Sequence, residues 1–226
     1  MNALFTRFVQ DIAPHAEALY ILGDFFEYWA GDDDLADPFH IAITSALAGL
    51  AVGGTRVYLM FGNRDFLLSD AFMRAAQATL LPDPTRIDLY GVPTLLMHGD
   101  TLCTDDVAYQ EFRSMVRGAE WQRDFLSQPL TQRKAQIEGL RKKSALEKLH
   151  KTEAIMDVNP EAVENVLRSN TYPRLIHGHT HRPAKHIHRV DAQSCERWVL
   201  GDWYSVASYL RCDAIGCETH TVTIPA

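Results

Sequence analysis

The chain opens with an amphipathic pattern and then switches to short apolar runs separated by polar turns. Apolar residues first recur three or four positions apart, which predicts a helix, at Leu4, Phe5, Phe8, Val9 and Ile12. The apolar runs that follow predict strands over Ala18–Leu22, Thr55–Phe61, Arg86–Tyr90 and Val92–Met97, the last two forming a hairpin. Helices are predicted between the runs, over Pro38–Leu50 and from a candidate N-cap at Ser69 to Gln77.

The second half of the chain separates into a helical stretch and a strand-rich end. From Asp105 to about Arg168 helical patterns dominate and strand signals vanish. A short strand over Pro173–Ile176 follows and enters a histidine-rich turn. Alternating patterns then predict antiparallel strands over His186–Val190, Arg197–Leu200, Ser205–Leu210 and Glu218–Ile224. The fold class predicted is α/β, with a helical insertion before the last strand that bears candidate site residues.

Composition narrows the class of protein. The 226 residues are 46% hydrophobic and 23% charged, which is ordinary for one globular domain with an inserted subdomain. The net charge of −7 argues against a nucleic-acid partner bound through bulk charge. No signal peptide is visible and no C-x-x-C pair occurs, so we expect a cytoplasmic protein with reduced thiols. The four cysteines are interpreted as packing residues.

Four predicted strands end in short polar motifs that contain glycine. These motifs are Gly23-Asp24, Gly62-Asn63-Arg64-Asp65, His98-Gly99-Asp100 and Gly178-His179-Thr180-His181. Ligands of α/β sheets bind beyond the carboxyl ends of strands, so we expect the motifs to converge. Carboxylate, amide and imidazole ligands suit Mn²⁺, Fe²⁺ or Zn²⁺. Two such ions about 3.5–4 Å apart can activate a water and clamp a phosphoryl oxygen.

The motifs together resemble the calcineurin-like metallophosphoesterase superfamily over about residues 18–200. The longer stretches are similar to the UDP-2,3-diacylglucosamine diphosphatases of lipid A biosynthesis: LYILGDFFEYWAGDDD at 19–34, FGNRDFLL at 61–68, LMHGDTLCTDD at 96–106 and IHGHTHRPAKH at 176–186. The resemblance implies a metallophosphoesterase-type β-sandwich flanked by helices. It also implies a core formed by residues 1–104 and 171–226, with a helical cap at 105–170 for the lipid substrate.

The same resemblance implies an activity, a cofactor and a location. The activity is hydrolysis of the pyrophosphate bond of UDP-2,3-diacylglucosamine to 2,3-diacylglucosamine 1-phosphate and UMP. The cofactor is Mn²⁺ in a two-metal site, and the enzyme is peripheral on the cytoplasmic face of the inner membrane. The rival expectations are another calcineurin-like enzyme, such as a cyclic-nucleotide phosphodiesterase or a protein phosphatase, or an inactive homologue.

Site residues follow from the resemblance position by position. Asp24 would bridge the two ions, with Asn63, His98 and His179 completing one metal site and His181 joining Asp24 at the other. The residues expected to be catalytic are Asp24, Asn63, His98 and His179, and Asn63 and His179 are also expected to contact substrate. Arg64 would pair with substrate phosphate, while Asp65 and Asp100 would orient turns and neighbouring ligands.

The helical insertion carries the remaining candidates. Residues 131–151 have a local net charge of +5 in a chain of −7, which suits a diphosphate, an anionic membrane surface or simply a solvated helix face. The resemblance favours substrate contact by Asp106, Tyr109, Arg141, Ser144, Lys148 and Lys151. An acyl pocket and plain helix packing are equally open interpretations of Phe112, Trp121, Phe125 and Leu126.

One feature of the family pattern has no counterpart in this sequence. The family has an Asp-x-His motif at the end of a first strand, which supplies two ligands to the metal site that His181 shares, and no Asp-x-His precedes Asp24 here. Three explanations are open: a start placed too far downstream, a truncated chain, or a degenerate homologue. The intact motifs favour the misplaced start.

Overall fold

Two sheets are formed by the apolar runs that lie between the polar turns. The computed structural model describes residues 2–148, 152, 155–204 and 206–223. The first sheet is parallel and has the order β1-β2-β3, with β1 at Ala18–Leu22, β2 at Arg56–Met60 and β3 at Ala78–Leu81. The second sheet has the order β4-β5-β6-β8-β7, with β4 at Thr85–Leu89, β5 at Val92–Met97, β6 at Arg174–His177, β7 at Ala184–Val190 and β8 at Gln193–Val199.

Helices flank the sheets and fill the insertion. The chain begins with α1 at Asn2–Arg7, which continues as a π-helical turn at Phe8–Ile12. Two more helices follow in the first half, α2 at Pro38–Val52 and α3 at Asp70–Ala76. The insertion consists of α4 at Val107–Val116, α5 at Ala119–Leu126, α6 at Leu130–Lys148 and α7 at Pro160–Ser169. A hairpin ends the described chain, with β9 at Ser208–Cys212 and β10 at Cys217–Thr221.

Neighbouring residues of a strand enter different hydrophobic clusters, as the two-residue period of a strand requires. Leu59 packs in the cluster formed with α1, α2 and α3, whereas Met60 packs between the two sheets. In the second sheet Leu96 faces the first sheet, while Leu95 packs against α7. The order of layers is therefore helices, sheet, sheet and helix, and the predicted helix-flanked sandwich is confirmed.

The sandwich brings the ends of several strands to one edge. Leu22 of β1 lies beside Met60 of β2, and Met97 of β5 lies beside His177 of β6. Each pair is parallel, so the turns after its two strands emerge together. His98 Nδ1 lies 2.8 Å from the backbone oxygen of Leu22, which shows that the two sheets end on the same side. The polar motifs of the sequence lie in these turns.

The insertion is anchored to the core by ion pairs with the acidic loop that follows β1. Arg133 of α6 is 2% exposed, and its guanidinium contacts the Asp33 carboxylate and the backbone oxygen of Ala30. Lys134 Nζ lies 2.7 Å from Asp34 Oδ1. Part of the basic charge of the insertion therefore holds the insertion in place.

The structure corrects two expectations. Strand β3 follows α3 directly, at a position where the sequence pattern predicts no strand. The expectation of four reduced cysteines is wrong for Cys212 and Cys217, which form a disulfide because they lie opposite each other in the β9–β10 register with Cα atoms 4.1 Å apart. Cys103 and Cys195 are buried free thiols, as expected.

Every helix in the described part of the chain is too short or too polar to cross a lipid bilayer.

Candidate metal centre

The turns after β1 and β2 approach each other so closely that glycine is required. Gly23 has a φ of +85°, and a Cβ atom on it would lie 2.5 Å from the Cα atom of Gly62. Asp24 follows with a φ of +52°, a left-handed conformation that costs free energy for a residue with a side chain. Two tight turns therefore present Asp24 and Asn63 to the same space.

Four of the predicted ligands converge at this edge. Asp24, His98 and His179 each offer a ligand atom, and these atoms lie within 4.8 Å of one another. Asn63 lies among them, with Oδ1 at 3.1 Å from His98 Nε2 and at 2.8 Å from His179 Nδ1. The group contains one carboxylate, one amide oxygen and two imidazoles, the mixed donor set that divalent transition ions prefer.

The hydrogen bonds of His98 show which of its nitrogens faces the group. Nδ1 lies 2.8 Å from the backbone oxygen of Leu22, and because that oxygen only accepts, Nδ1 carries the proton and donates. In the neutral ring Nε2 then presents a lone pair toward the Asn63 oxygen. Two acceptor atoms 3.1 Å apart favour a cation shared between them, so these residues fit a divalent ion.

The carboxylates of the site attract positive charge to His98, which in the absence of a metal ion is a proton. Burial by itself lowers the pKa of His98, but the carboxylates of Asp24 and Asp100 outweigh burial and raise this pKa above its ordinary value. Burial, together with the charge of His98, lowers the pKa of His179 to about 4. His179 is therefore neutral near pH 7 and able to act as a ligand.

Asp65 holds the Asp24 and Asn63 turns in place. Its Oδ1 accepts from the backbone N–H of Gly62 at 2.8 Å and from that of Asp24 at 3.3 Å. Oδ2 accepts from the N–H of Phe25 at 2.6 Å. Burial and the nearby charge of Asp24 raise the pKa of Asp65. This placement agrees with the orienting role expected for Asp65.

Asp100 joins the turn after β5 to helix α4 of the insertion. It is fully buried, and Oδ2 accepts from the Tyr109 hydroxyl at 2.7 Å and from Arg113 Nε at 2.7 Å. Burial opposes ionisation of Asp100, yet the charges of His98 and Arg113 lower its pKa to about 2. The Tyr109 ring lies 5.6 Å from the His179 ring, so this predicted substrate contact borders the candidate metal ligands.

Two arginines that are predicted to contact substrate meet at Glu27, a residue that no motif of the sequence singled out. Arg64 Nη1 lies 2.7 Å from Glu27 Oε2, and Arg141 Nη2 lies 2.6 Å from the same oxygen. The Tyr204 hydroxyl contacts the other Glu27 oxygen and lies 2.6 Å from Arg64 Nη1. Glu27 lies three positions after Asp24 in the stretch LYILGDFFEYWAGDDD, so its closeness to a predicted ligand was the available signal.

His181 lies outside the group whose ligand atoms are within 4.8 Å of one another, and its pairing with Asp24 at a second metal site stays a prediction. Its Nδ1 lies 3.4 Å from Asp202 Oδ2. Its left-handed backbone, with a φ of +55°, follows that of His179 by two residues. Asp202 was missed, although Leu200-Gly201-Asp202 repeats the pattern of an apolar strand followed by Gly-Asp.

The other predicted substrate contacts are spread over the insertion. Asp106 is the N-cap of α4, where its side chain accepts from the Tyr109 N–H at 3.2 Å. Ser144 is exposed on α6. Lys148 is the last residue of that helix, and the prediction for Lys151 lies outside the described residues.

The sequence matches the family described as Calcineurin-like phosphoesterase over residues 2–183. The chain belongs to this family. The convergence of Asp24, Asn63, His98 and His179 agrees with a phosphoesterase that acts through a divalent metal ion. A solved archaeal phosphodiesterase structure shows a distant likeness, with a TM-score of 0.45 and 11% identity over 97% of this chain and 89% of that one.

Curated relatives are more similar to the present chain than that archaeal protein is. A protein of Aromatoleum aromaticum is 57% identical over 94% of this chain and 86% of its own length. A protein of Hahella chejuensis is 46% identical over 96% and 89%, and one of Pseudomonas aeruginosa strain PAO1 is 50% identical over 94% and 88%. All three are named UDP-2,3-diacylglucosamine hydrolase.

Proposed function

We propose that this phosphoesterase hydrolyses the pyrophosphate bond of UDP-2,3-diacylglucosamine, giving 2,3-diacylglucosamine 1-phosphate and UMP in lipid A biosynthesis. One observation carries the proposal: the four donor residues converge in a chain that is 57% identical to a UDP-2,3-diacylglucosamine hydrolase over nearly its whole length. The mixed oxygen and nitrogen donors support Mn²⁺ as the ion.

Different residues of the chain would hold the metal ion and bind the substrate. Asp24, Asn63, His98 and His179 would hold the metal, which when bound supplies a Lewis acid and lowers the pKa of water. Arg64 lies next in sequence to Asn63, so its guanidinium would bind a phosphoryl oxygen beside the metal. The neutral ring of His179 would serve first as a ligand and substrate contact rather than as a cationic acid, because its pKa is lowered to about 4.

The helical insertion supplies the surface for the rest of the substrate. We place the core at residues 1–104 and 171–226 and the cap at 105–170. Arg141 of α6 reaches the Arg64 side of the site through Glu27. Trp121 and Phe125 stack with ring centroids 4.8 Å apart, and Trp121 also contacts Phe66 of the core. The contact of Trp121 with Phe66 packs the cap against the core, which leaves Phe112 and Leu126 as the more exposed candidates for acyl contact.

The cap also supports a peripheral position on the cytoplasmic face of the inner membrane. Val107, Met115 and Leu146 of the insertion are 61%, 53% and 63% exposed. Exposed apolar side chains beside basic residues favour binding to an anionic lipid surface. A lipid-linked substrate would reach the site from such a surface.

Substrate selectivity tests the proposal. Release of UMP from UDP-2,3-diacylglucosamine, followed by chromatography, is compared with hydrolysis of bis(p-nitrophenyl) phosphate at equal Mn²⁺. Preference for the acylated sugar nucleotide is expected. A preference for the aryl diester favours another calcineurin-like phosphodiesterase, and Mn²⁺ binding without turnover of either compound favours a non-catalytic homologue.

A further inference from the structure

Glu27 joins a cation of the core to a cation of the insertion. Arg64 belongs to the turn after β2, and Arg141 belongs to α6, yet both guanidinium groups contact Oε2 of Glu27, at 2.7 and 2.6 Å. The second carboxylate oxygen contacts the Tyr204 hydroxyl, so both oxygens of Glu27 are held in place.

Charge explains why a carboxylate is needed between the two guanidinium groups. Two guanidinium groups that meet at one atom repel each other, and a carboxylate between them offsets that repulsion. The three side chains together carry a net charge of +1. Arg64 Nε also lies 3.5 Å from Asp24 Oδ2, and the divalent ion that Asp24 would hold offsets that carboxylate, so the pair still attracts a dianionic diphosphate. Guanidinium groups bind phosphate with two parallel N–H groups, so a pair held at one place can bind more than one phosphoryl oxygen.

We infer that Glu27 is a positioning residue that holds Arg64 and Arg141 together as one diphosphate-binding subsite across the boundary between core and insertion. The inference rests on the proposed function for its substrate. Glu27 itself does not contact the diphosphate but determines where the two guanidinium groups stand when the diphosphate arrives.

The test uses Glu27→Gln, which keeps the size of the side chain and an oxygen acceptor but removes the charge. With UDP-2,3-diacylglucosamine and Mn²⁺, KM is expected to rise roughly tenfold, as loss of a charged hydrogen bond predicts. The kcat is expected to stay within about twofold, since binding in the ground state is what changes. Glu17→Gln is the matched control, because Glu17 is a 73% exposed carboxylate that also pairs with an arginine, Arg56.

A second variant separates positioning from a general loss of structure. If Glu27 acts through Arg141, then Glu27→Gln in an Arg141→Gln background should raise KM by less than about twofold further. A merely structural role would give the full effect in both backgrounds. Thermal unfolding of each variant verifies that it is folded.

The outcomes distinguish this inference from the proposed function. If the wild-type chain hydrolyses the substrate and Glu27→Gln leaves KM unchanged or lowers it, the positioning role is overturned, and a lowered KM means that Glu27 competes with the diphosphate. If the wild-type chain does not hydrolyse the substrate, the proposed function fails. Calorimetric binding of inorganic diphosphate to the metal-free protein then decides, with roughly tenfold weaker binding expected for Glu27→Gln and equal or tighter binding contradicting the inference.

Discussion

His98 donates its Nδ1–H to the backbone oxygen of Leu22, across 2.8 Å, and this bond turns Nε2 toward Asn63. The partner is the last residue of β1, so the strand that presents Asp24 also orients an imidazole carried by β5. One hydrogen bond thereby links the geometry of two turns that carry candidate metal ligands.

The first prediction concerns the affinity for metal. His98→Gln removes a nitrogen ligand, and the loss of Mn²⁺ affinity should exceed the roughly 10- to 100-fold that loss of a residue supporting a ligand costs. Titration calorimetry of the metal-free protein with Mn²⁺ measures it. His15→Gln is the control, since His15 is exposed and lies before β1. Equal affinity in His98→Gln and the wild type would remove His98 from the site.

A second prediction concerns the stability that Asp32 gives to α3. Its carboxylate accepts from the Ser69 N–H at 3.1 Å, the Phe72 N–H at 2.7 Å and Trp29 Nε1 at 2.9 Å. Asp32→Ala leaves these donors without the acceptor and should lower the free energy of unfolding by about 1–3 kcal/mol. Urea unfolding measures the loss, and Asp124→Ala, at an exposed carboxylate, should change it by less than about 0.5 kcal/mol. Equal effects of the two variants would rule out the capping role.

The third prediction follows from the neutral state of His177. Burial, together with the charge of Arg197, lowers the pKa of His177 from 6.5 to about 3. Its Nδ1 donates to the oxygen of Gly178 at 2.9 Å, while Nε2 accepts from Arg197 Nη1 at 3.1 Å. Below pH 6.5 the unfolded chain takes up a proton at this residue and the folded chain does not.

The free energy of unfolding of the metal-free protein should therefore decrease as the pH falls from 6.5 toward 3. His177→Gln cannot take up this proton, so the wild type should lose stability more steeply, by up to about 1.4 kcal/mol per pH unit. Urea unfolding at pH 4.5, 5.5, 6.5 and 7.5 is the measurement, with those values spanning the window from roughly the folded to the unfolded pKa. Parallel curves for the two proteins would mean that His177 titrates alike when folded and unfolded.

Local pattern was enough to predict most of the sheet. Ala18–Leu22 and Val92–Met97 have the predicted bounds, because the polar turns on either side of an apolar run mark where the strand begins and ends. Strand β3 was missed because its four residues follow Gln77, a left-handed helix end, with no turn signal between them. Ser69 was correctly placed at the start of α3, but the acceptor there is the carboxylate of Asp32, 37 residues away.

The candidate site divides in the same way. The convergence of the four candidate ligands could be predicted, because each follows a strand that the sequence shows and the ends of parallel strands share one edge of a sheet. The position of His181 depends on Asp202, and that of Arg64 on Glu27 and Tyr204. Glu27 and Tyr204 are 177 residues apart. Contacts of that kind arise only when the chain folds, so no local pattern predicts them.

The central claim is that Asn63 and its three neighbours hold the divalent ion that hydrolysis of UDP-2,3-diacylglucosamine requires. The most direct measurement is UMP release as a function of Mn²⁺ concentration for the wild type, Asn63→Ala and the exposed control Asn165→Ala. The account predicts no release in the presence of a chelator, and a half-maximal Mn²⁺ concentration at least about tenfold higher for Asn63→Ala alone. UMP release that persists in chelator, or an identical Mn²⁺ dependence for all three proteins, would contradict it.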